Sequence, residues 1–249
     1  MSTSYAEFSQ FYDNLTLNVN YKKRAEYIVS VLNKHNHKSG LTLDLACGTG
    51  SLTLELKKLG VDIYGIDSSS DMLIQAKDKA YEANEDILYL CQKMQNIDLY
   101  GTIDTCLCTL DSINHLTKKE DVIQTFKKVS LFMNKGGLFV FDVNTEYKHQ
   151  QVLSDNTFIY DTEDVYCIWQ NSLQKDNVTV RINLDFFSKT YDGKYTRSSE
   201  SFSEKAYSNQ ELNKMLVTAG FKVLNVYDEL TFENKKETSQ RLIYVAQKI

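Results

Sequence analysis

The chain has 249 residues, 42% hydrophobic and 24% charged, which is enough apolar material for one α/β core with a modest insertion and too much for a disordered chain. A formal net charge of −5 offers no basic surplus to meet phosphates and so disfavours RNA or DNA as a partner. The longest apolar stretches are only strand-sized, and residues 1–20 carry Glu7 and Asp13 where an export signal needs an unbroken apolar run, so a cytoplasmic protein off the membrane is expected. Cys47, Cys91, Cys106, Cys108 and Cys167 form an odd set without a CxxC pair and are expected to be buried thiols in a reducing compartment.

With no proline in the chain, glycine marks most of the breaks. A first helix is expected where Tyr21, Ala25, Ile28, Val29 and Leu32 recur at helical period. Gly40 then precedes the strand-like run LTLDLA, and the glycine turn after it leads to a helix carrying Leu52, Leu54, Leu56 and Leu59. Gly60 introduces VDIYGI, which is followed by a helix with Met72, Leu73, Ala76, Ala80 and Ala83 on one face. Gly101 introduces TIDTCLC, and Thr117 with Glu120 reads as a capping box opening a helix near 118–132, its apolar face Val122, Phe126, Val129 and Met133. The pair Gly136 and Gly137 precedes LFVFDV.

From about 150 the helical period gives way to strand alternation, clearest in Val178, Val180, Ile182, Leu184 and Phe186 against Thr179, Arg181, Asn183 and Asp185. Asp192 and Gly193 supply a hairpin turn into 194–205. Ser208 with Glu211 is a second capping box, opening a helix over 209–219, and Gly220 leads into FKVLNVYDEL and then RLIYVAQK. Alternating strands and helices predict an α/β fold. The expected division is a core over 1–149, an inserted antiparallel β subdomain over 150–205, and completion of the core over 206–249.

The first strand ends in Leu43-Asp44-Leu45-Ala46-Cys47-Gly48-Thr49-Gly50, a strand, glycine turn and helix at which backbone can approach a ligand. A dinucleotide fingerprint needs a third glycine where Thr53 stands, so G-x-G-x-x-G is incomplete. The second strand ends at Asp67, a carboxylate that could accept both hydroxyls of a ribose. His115, with an ordinary pKa of about 6.5, is the titratable group best suited to proton transfer near neutrality. His35 and His37 lie at a helix end and His149 stands apart in the sequence, so no metal site is expected.

The string LDLACGTG resembles motif I of the class I S-adenosylmethionine-dependent methyltransferases, with Asp67-Ser68-Ser69-Ser70-Asp71-Met72-Leu73 similar to the D-x-S-x-x-M-L that follows it in that family. Asp111-Ser112-Ile113-Asn114-His115 resembles its D-S-L-N-Y, and Tyr5-Ala-Glu-Phe8-Ser-Gln-Phe11-Tyr12-Asp13 resembles the opening of its small-molecule members, among them amino-sugar and glycine N-methyltransferases with an antiparallel insertion after strand five. The resemblance implies a Rossmann-like seven-stranded sheet of order 3-2-1-4-5-7-6 with helices on both faces. It also implies S-adenosyl-L-methionine as methyl donor, S-adenosyl-L-homocysteine as product, and a small-molecule acceptor methylated on nitrogen or oxygen.

By the same resemblance Asp44 holds the donor ammonium, with Ala46, Cys47, Gly48 and Gly50 forming the loop around it. Asp67 and Ser68 take the ribose, Met72 packs on the adenine, and Leu110 lines the pocket. Tyr12 and Tyr21 reach the site, Arg24 pairs with the donor carboxylate, and His115 and Tyr12 are the candidate catalytic groups. After the third strand the family carries an aspartate for the adenine amino group; here Cys91-Gln92-Lys93-Met94 places a lysine, which only donates. That leaves Gln92, Gln95 or a backbone carbonyl as acceptor, with the Met94 amide beside the ring. Two other readings stay open at this point: a nicotinamide-dependent oxidoreductase on a related sheet, and a non-catalytic binder of the donor that regulates a partner.

Overall fold

The computed structural model describes residues 19–249. In chain order, helix α1 (Tyr21–Lys34) precedes strand β1 (Thr42–Leu45), helix α2 (Ser51–Lys58), strand β2 (Ile63–Asp67), helix α3 (Ser70–Glu82) and strands β3 (Tyr89–Cys91) and β4 (Ile103–Cys108). Helix α4 (Lys119–Phe132) leads into the long strand β5 (Met133–Asn144). Strands β6 (Thr157–Asp161), β7 (Val165–Leu173), β8 (Thr179–Lys189) and β9 (Tyr195–Lys205) follow, and helix α5 (Asn209–Thr218) with strands β10 (Phe221–Asp228) and β11 (Arg241–Lys248) completes the chain.

Seven strands form the main sheet in the order β3-β2-β1-β4-β5-β11-β10. Numbered within this sheet alone, that is the expected 3-2-1-4-5-7-6. Strands β1 to β5 pair in parallel, and only β11 runs against its neighbours β5 and β10. The four-stranded second sheet, β6-β7-β8-β9, is antiparallel throughout.

Strand β5 shows why helices cover both faces. Phe139, Phe141 and Val143 pack with Val122, Phe126 and Val129 of α4 and Leu212 and Leu216 of α5. Leu138 and Val140, one residue out of phase, pack with Ile28 and Val31 of α1 and Leu52 and Leu56 of α2. A strand buried on both faces must read as a continuous apolar run, as LFVFDV nearly does. Its interruption, Asp142, is 1% exposed. In β8 the alternation resolves as expected, with Val180, Ile182, Leu184 and Phe186 buried in a separate apolar cluster.

Three local expectations are corrected. The Ser208–Glu211 capping box is present, but α4 starts one residue later than a Thr117 cap requires, with Lys118 at its N-cap and no side-chain cap bond. Met133 belongs to the start of β5, where it pairs with Ile103, because the parallel edge of β4 extends beyond the glycine pair. Cys106, Cys108 and Cys167 are buried and Cys47 is partly so, whereas Cys91 at the end of the edge strand β3 is exposed. A three-residue edge strand has no neighbour to cover its last residue.

Candidate active site

The turn after β1 is built from left-handed residues: Ala46 at φ +60°, Gly48 at +53° and Gly50 at +71°. The two glycines serve different purposes. A Cβ on Gly48 would meet no atom within 4 Å, whereas one on Gly50 would stand 2.7 Å from the Tyr89 hydroxyl and 2.8 Å from the Ala76 Cβ. Gly48 therefore faces open space, while Gly50 lets α3 pack against the turn. Asp67 orders the turn by accepting from the Gly48 N–H at 2.9 Å and the Ser69 N–H at 2.8 Å. Burial raises the Asp67 pKa in spite of these bonds. Asp44 is buried and accepts from the Thr53 hydroxyl at 2.6 Å. Its burial pushes its pKa up to about 7.

A cavity of about 430 Å³ lies at the carboxyl ends of the parallel strands, where open α/β sheets bind ligands. Ala46, Gly48, Asp67, Ser68, Met72, Met94 and Leu110 form one wall. Phe158, Tyr160, Trp169, Leu184, Phe202 and Glu204 of the second sheet form the opposite one. A smaller recess shares Ala46, Gly48 and Leu110 with the cavity and adds Tyr21, Asp44 and Cys47. The sites named from the first four strands thus converge, together with Tyr21, while Tyr12 lies outside the described residues.

Arg24 does not reach this wall. It is buried in an ion-pair network, with Nη1 at 3.1 Å from Asp142 and Nη2 at 2.7 Å from Glu229. Gln92 is also committed elsewhere: its amide donates to the Asp98 carbonyl and accepts from the Asp98 N–H. Lys93 is exposed, and of this string only Met94 lines the cavity.

Asp142 organises the turn that follows β4. Its two oxygens accept from the N–H groups of Leu110 at 2.9 Å and Asp111 at 2.7 Å, both residues being left-handed at φ +57° and +55°. Two consecutive side-chain-bearing residues in this region are strained, and the carboxylate holds them there. Arg241 joins Asp142 at 2.6 Å to Asp111 at 2.7 Å. Burial alone would raise the Asp111 pKa, but Arg241, with Lys148 and His115, holds it well below the usual carboxylate range. Asn114, in the same turn, donates to the backbone carbonyls of Asn144 and Lys205, fastening the end of β9 to the end of β5.

His115 lines the cavity, stacked on Phe202 with ring centroids 5.1 Å apart, and its Nε2 is 3.7 Å from Glu204. Glu204 is 4% exposed and receives the Asn144 amide at 3.2 Å. Burial, with Asp111 close by, pushes its pKa up to about 7. Ligand atoms of Asp111, His115 and Glu204 come within 4.8 Å of one another. Both Asp111 oxygens are already engaged by Arg241 and Asn144, however, so the spacing by itself assigns no ion. Glu204, Asp142, Lys148 and Arg241 were missed from the sequence. Asp142 had a visible signal as the lone charge in an apolar run, and Glu204, among the serines and charges of β9, had none.

Residues 42–137 match the family model described as a methyltransferase domain. The chain is 33% identical over 246 residues to the Bacillus subtilis protein named "Putative methyltransferase YqeM", covering 98% of this chain and 97% of that one. It is similar to the crystal structure of an S-adenosylmethionine-dependent methyltransferase from Clostridium acetobutylicum, with a TM-score of 0.88 and 31% identity over 98% of each chain. The fold is also shared with the sugar N-methyltransferase KedS8 from Streptoalloteichus, at a TM-score of 0.77 and 16% identity over 96% of this chain and 93% of that one.

Proposed function

The chain belongs to the S-adenosylmethionine-dependent methyltransferases, and from that premise we propose that it moves the donor's methyl group to a nitrogen or oxygen of a small molecule held beneath the second sheet. The observation that carries this reading is the two-sided cavity. One wall consists of the residues that the resemblance assigns to the donor, and the other is an aromatic surface with a single carboxylate.

The residues present fit the donor. The empty space beside the Gly48 Cα admits a ligand against the backbone. Asp67 presents a buried carboxylate at the tip of β2, and Met72 and Met94 offer apolar, polarizable flanks for an aromatic base. Asp44, in the adjoining recess with Tyr21, provides a carboxylate for an ammonium group. When bound, S-adenosylmethionine supplies a methyl carbon already activated by its sulfonium. The protein's task is then to orient the acceptor and exclude water, for which the strained Leu110–Asp111 turn and the covering sheet are suited. The net charge of −5 disfavours a nucleic-acid acceptor.

The test is a calorimetric titration of the purified protein with S-adenosylmethionine and with a nicotinamide dinucleotide, followed by labelled-methyl transfer into a fractionated metabolite extract. Donor binding and a labelled small molecule are expected. Tight dinucleotide binding without donor binding would overturn the reading, and donor binding with no transfer to any fraction would favour a regulator.

A further inference from the structure

We propose that the acceptor is an amine, bound as its ammonium ion against Glu204 within the aromatic wall and relieved of a proton there before it attacks. The inference rests on the reading of this cavity as a methyltransferase site and narrows it from nitrogen or oxygen to nitrogen.

Charge supplies the first argument. Lys148 and Arg241 in the cavity lining, with Arg24 behind them, face Asp111, Asp142, Glu204 and Glu229, three cations against four carboxylates when Glu204 is ionised, and Asp67 adds a further carboxylate on the donor wall. Asp111 and Asp142 are each bonded to arginine, and Glu229 to both arginines. Of these four, only Glu204 has no basic side chain in contact other than histidine. The donor's sulfonium is itself a cation with Asp67 on its own wall, so the carboxylate left to an acceptor is Glu204, which an ammonium compensates and a neutral hydroxyl does not.

The wall supplies the second. Phe158, Tyr160, Trp169 and Phe202 surround the same space, with Trp169 packed 6.0 Å from Phe158 and 6.2 Å from Tyr160. Aromatic faces attract alkylammonium ions through their quadrupoles and offer nothing equivalent to an alcohol. Residues 202 and 204 lie on one face of β9, so the Phe202 ring and the Glu204 carboxylate are presented together.

The groups facing Glu204 are Asp111 and His115 from the turn after β4, Asn144 from the end of β5, and Lys148 and His149 from the helical segment Lys148–Leu153 that follows, with Arg241 behind Asp111. The raised Glu204 pKa of about 7 makes it an effective proton acceptor near neutrality. In the step itself the ammonium N–H bond breaks and its proton passes to the Glu204 carboxylate, leaving the lone pair on nitrogen. The N–C bond then forms as the C–S bond breaks, sulfur keeps that electron pair and becomes a neutral thioether, and the product leaves as a methylammonium. His115, 39% exposed, stands beside the carboxylate, its Nε2 3.7 Å from Glu204.

Trp169 is the chain's single tryptophan, so its fluorescence reports on this cavity without turnover. The protein is first titrated with S-adenosylhomocysteine. Loaded protein is then titrated at about pH 8, where alkylamines remain protonated, with methylamine, cyclohexylamine and benzylamine, each against its matching alcohol. At least one amine is expected to bind at least about tenfold more tightly than its alcohol, with the preference falling to within about twofold in Glu204→Gln. Glu204→Asp, which keeps the charge, should retain part of it. No amine preference across the series, or one unchanged in Glu204→Gln, overturns the proposal. So does Mn2+ alone perturbing Trp169 and competing with the amines, which would make the carboxylates a metal site. If Glu204→Gln fails to bind S-adenosylhomocysteine, the amine–alcohol comparison in the unmodified protein decides. Failure of the unmodified protein to bind S-adenosylhomocysteine would instead sink the methyltransferase reading of the cavity.

Discussion

Gly48 and Gly50 stand two residues apart in one turn, yet they answer to different forces. Both are left-handed, so alanine at either costs about 1–2 kcal/mol of backbone strain. At Gly50 the added methyl also collides with Ala76 and Tyr89. Gly50→Ala is therefore expected to lose roughly 2–4 kcal/mol in urea denaturation, the strain and overpacking together. Gly48→Ala meets no protein atom and should lose only the strain, while its affinity for S-adenosylhomocysteine falls about tenfold because the methyl occupies ligand space. Equal affinity in Gly48→Ala and the unmodified protein would show that the ligand does not approach this backbone. The sequence motif marks both positions as small but cannot say which neighbour makes them so.

Among the elements, α4 and α5 carry the same cap signature and differ in using it. Ser208 accepts from the Glu211 N–H, and Glu211 accepts from the Ser208 N–H. The side chain of Glu211 also pairs with Lys119 of α4, tying the two helices together. Ser208→Ala is expected to cost about 1 kcal/mol in denaturant melts, and Thr117→Ala about none, since Lys118 occupies the N-cap of α4. A comparable loss in Thr117→Ala would contradict the observed start of that helix. Strand β9 teaches a related lesson. Its run of serines and charges, TRSSESFSEK, reads as a wet strand, but Glu200 and Glu204 are 6% and 4% exposed. Hydropathy places acids on the solvent side, and only the pairing of β9 with β8, opposite buried Leu184 and Val180, turns these two inward.

Across the whole molecule, buried titrating groups make stability depend on pH in two opposing ways. Asp44, Glu200 and Glu204 are each raised to about 7 by burial, so each contributes stability fully present below the unfolded value near 4 and lost as pH rises through about 7. His35, His37 and His149 are lowered by burial, and their contribution is present above about pH 6.5 and lost as pH falls through their folded values. A difference measurement separates the two sets. Among the described residues the Glu200 Oε2 has no hydrogen-bond partner, so Glu200→Gln should match the unmodified protein in melting temperature near pH 5 and exceed it increasingly toward pH 8. A constant offset across that range would mean that Glu200 is not held protonated. The alternation of strands and helices was legible in the sequence, the order of the main sheet came only through the family resemblance, and motifs marked the cavity-lining residues between Asp44 and Leu110. Periodicity of side chains and glycine turns are local properties, and motif I, Asp67 and the Met72 helix all lie within one β-α-β stretch. The covering wall was not legible, because Trp169, Phe202 and Glu204 come from strands far apart in sequence, and only antiparallel register decides which face each presents. Nor was the Arg24–Asp142–Arg241 network, whose members are separated by 118 and 99 residues and meet because α1, β5 and β11 are packed side by side. The methyl donor therefore belongs to what the sequence determined by itself, while the shape and charge that choose an acceptor were decided by tertiary structure, through contacts that exist only once both sheets face one cavity.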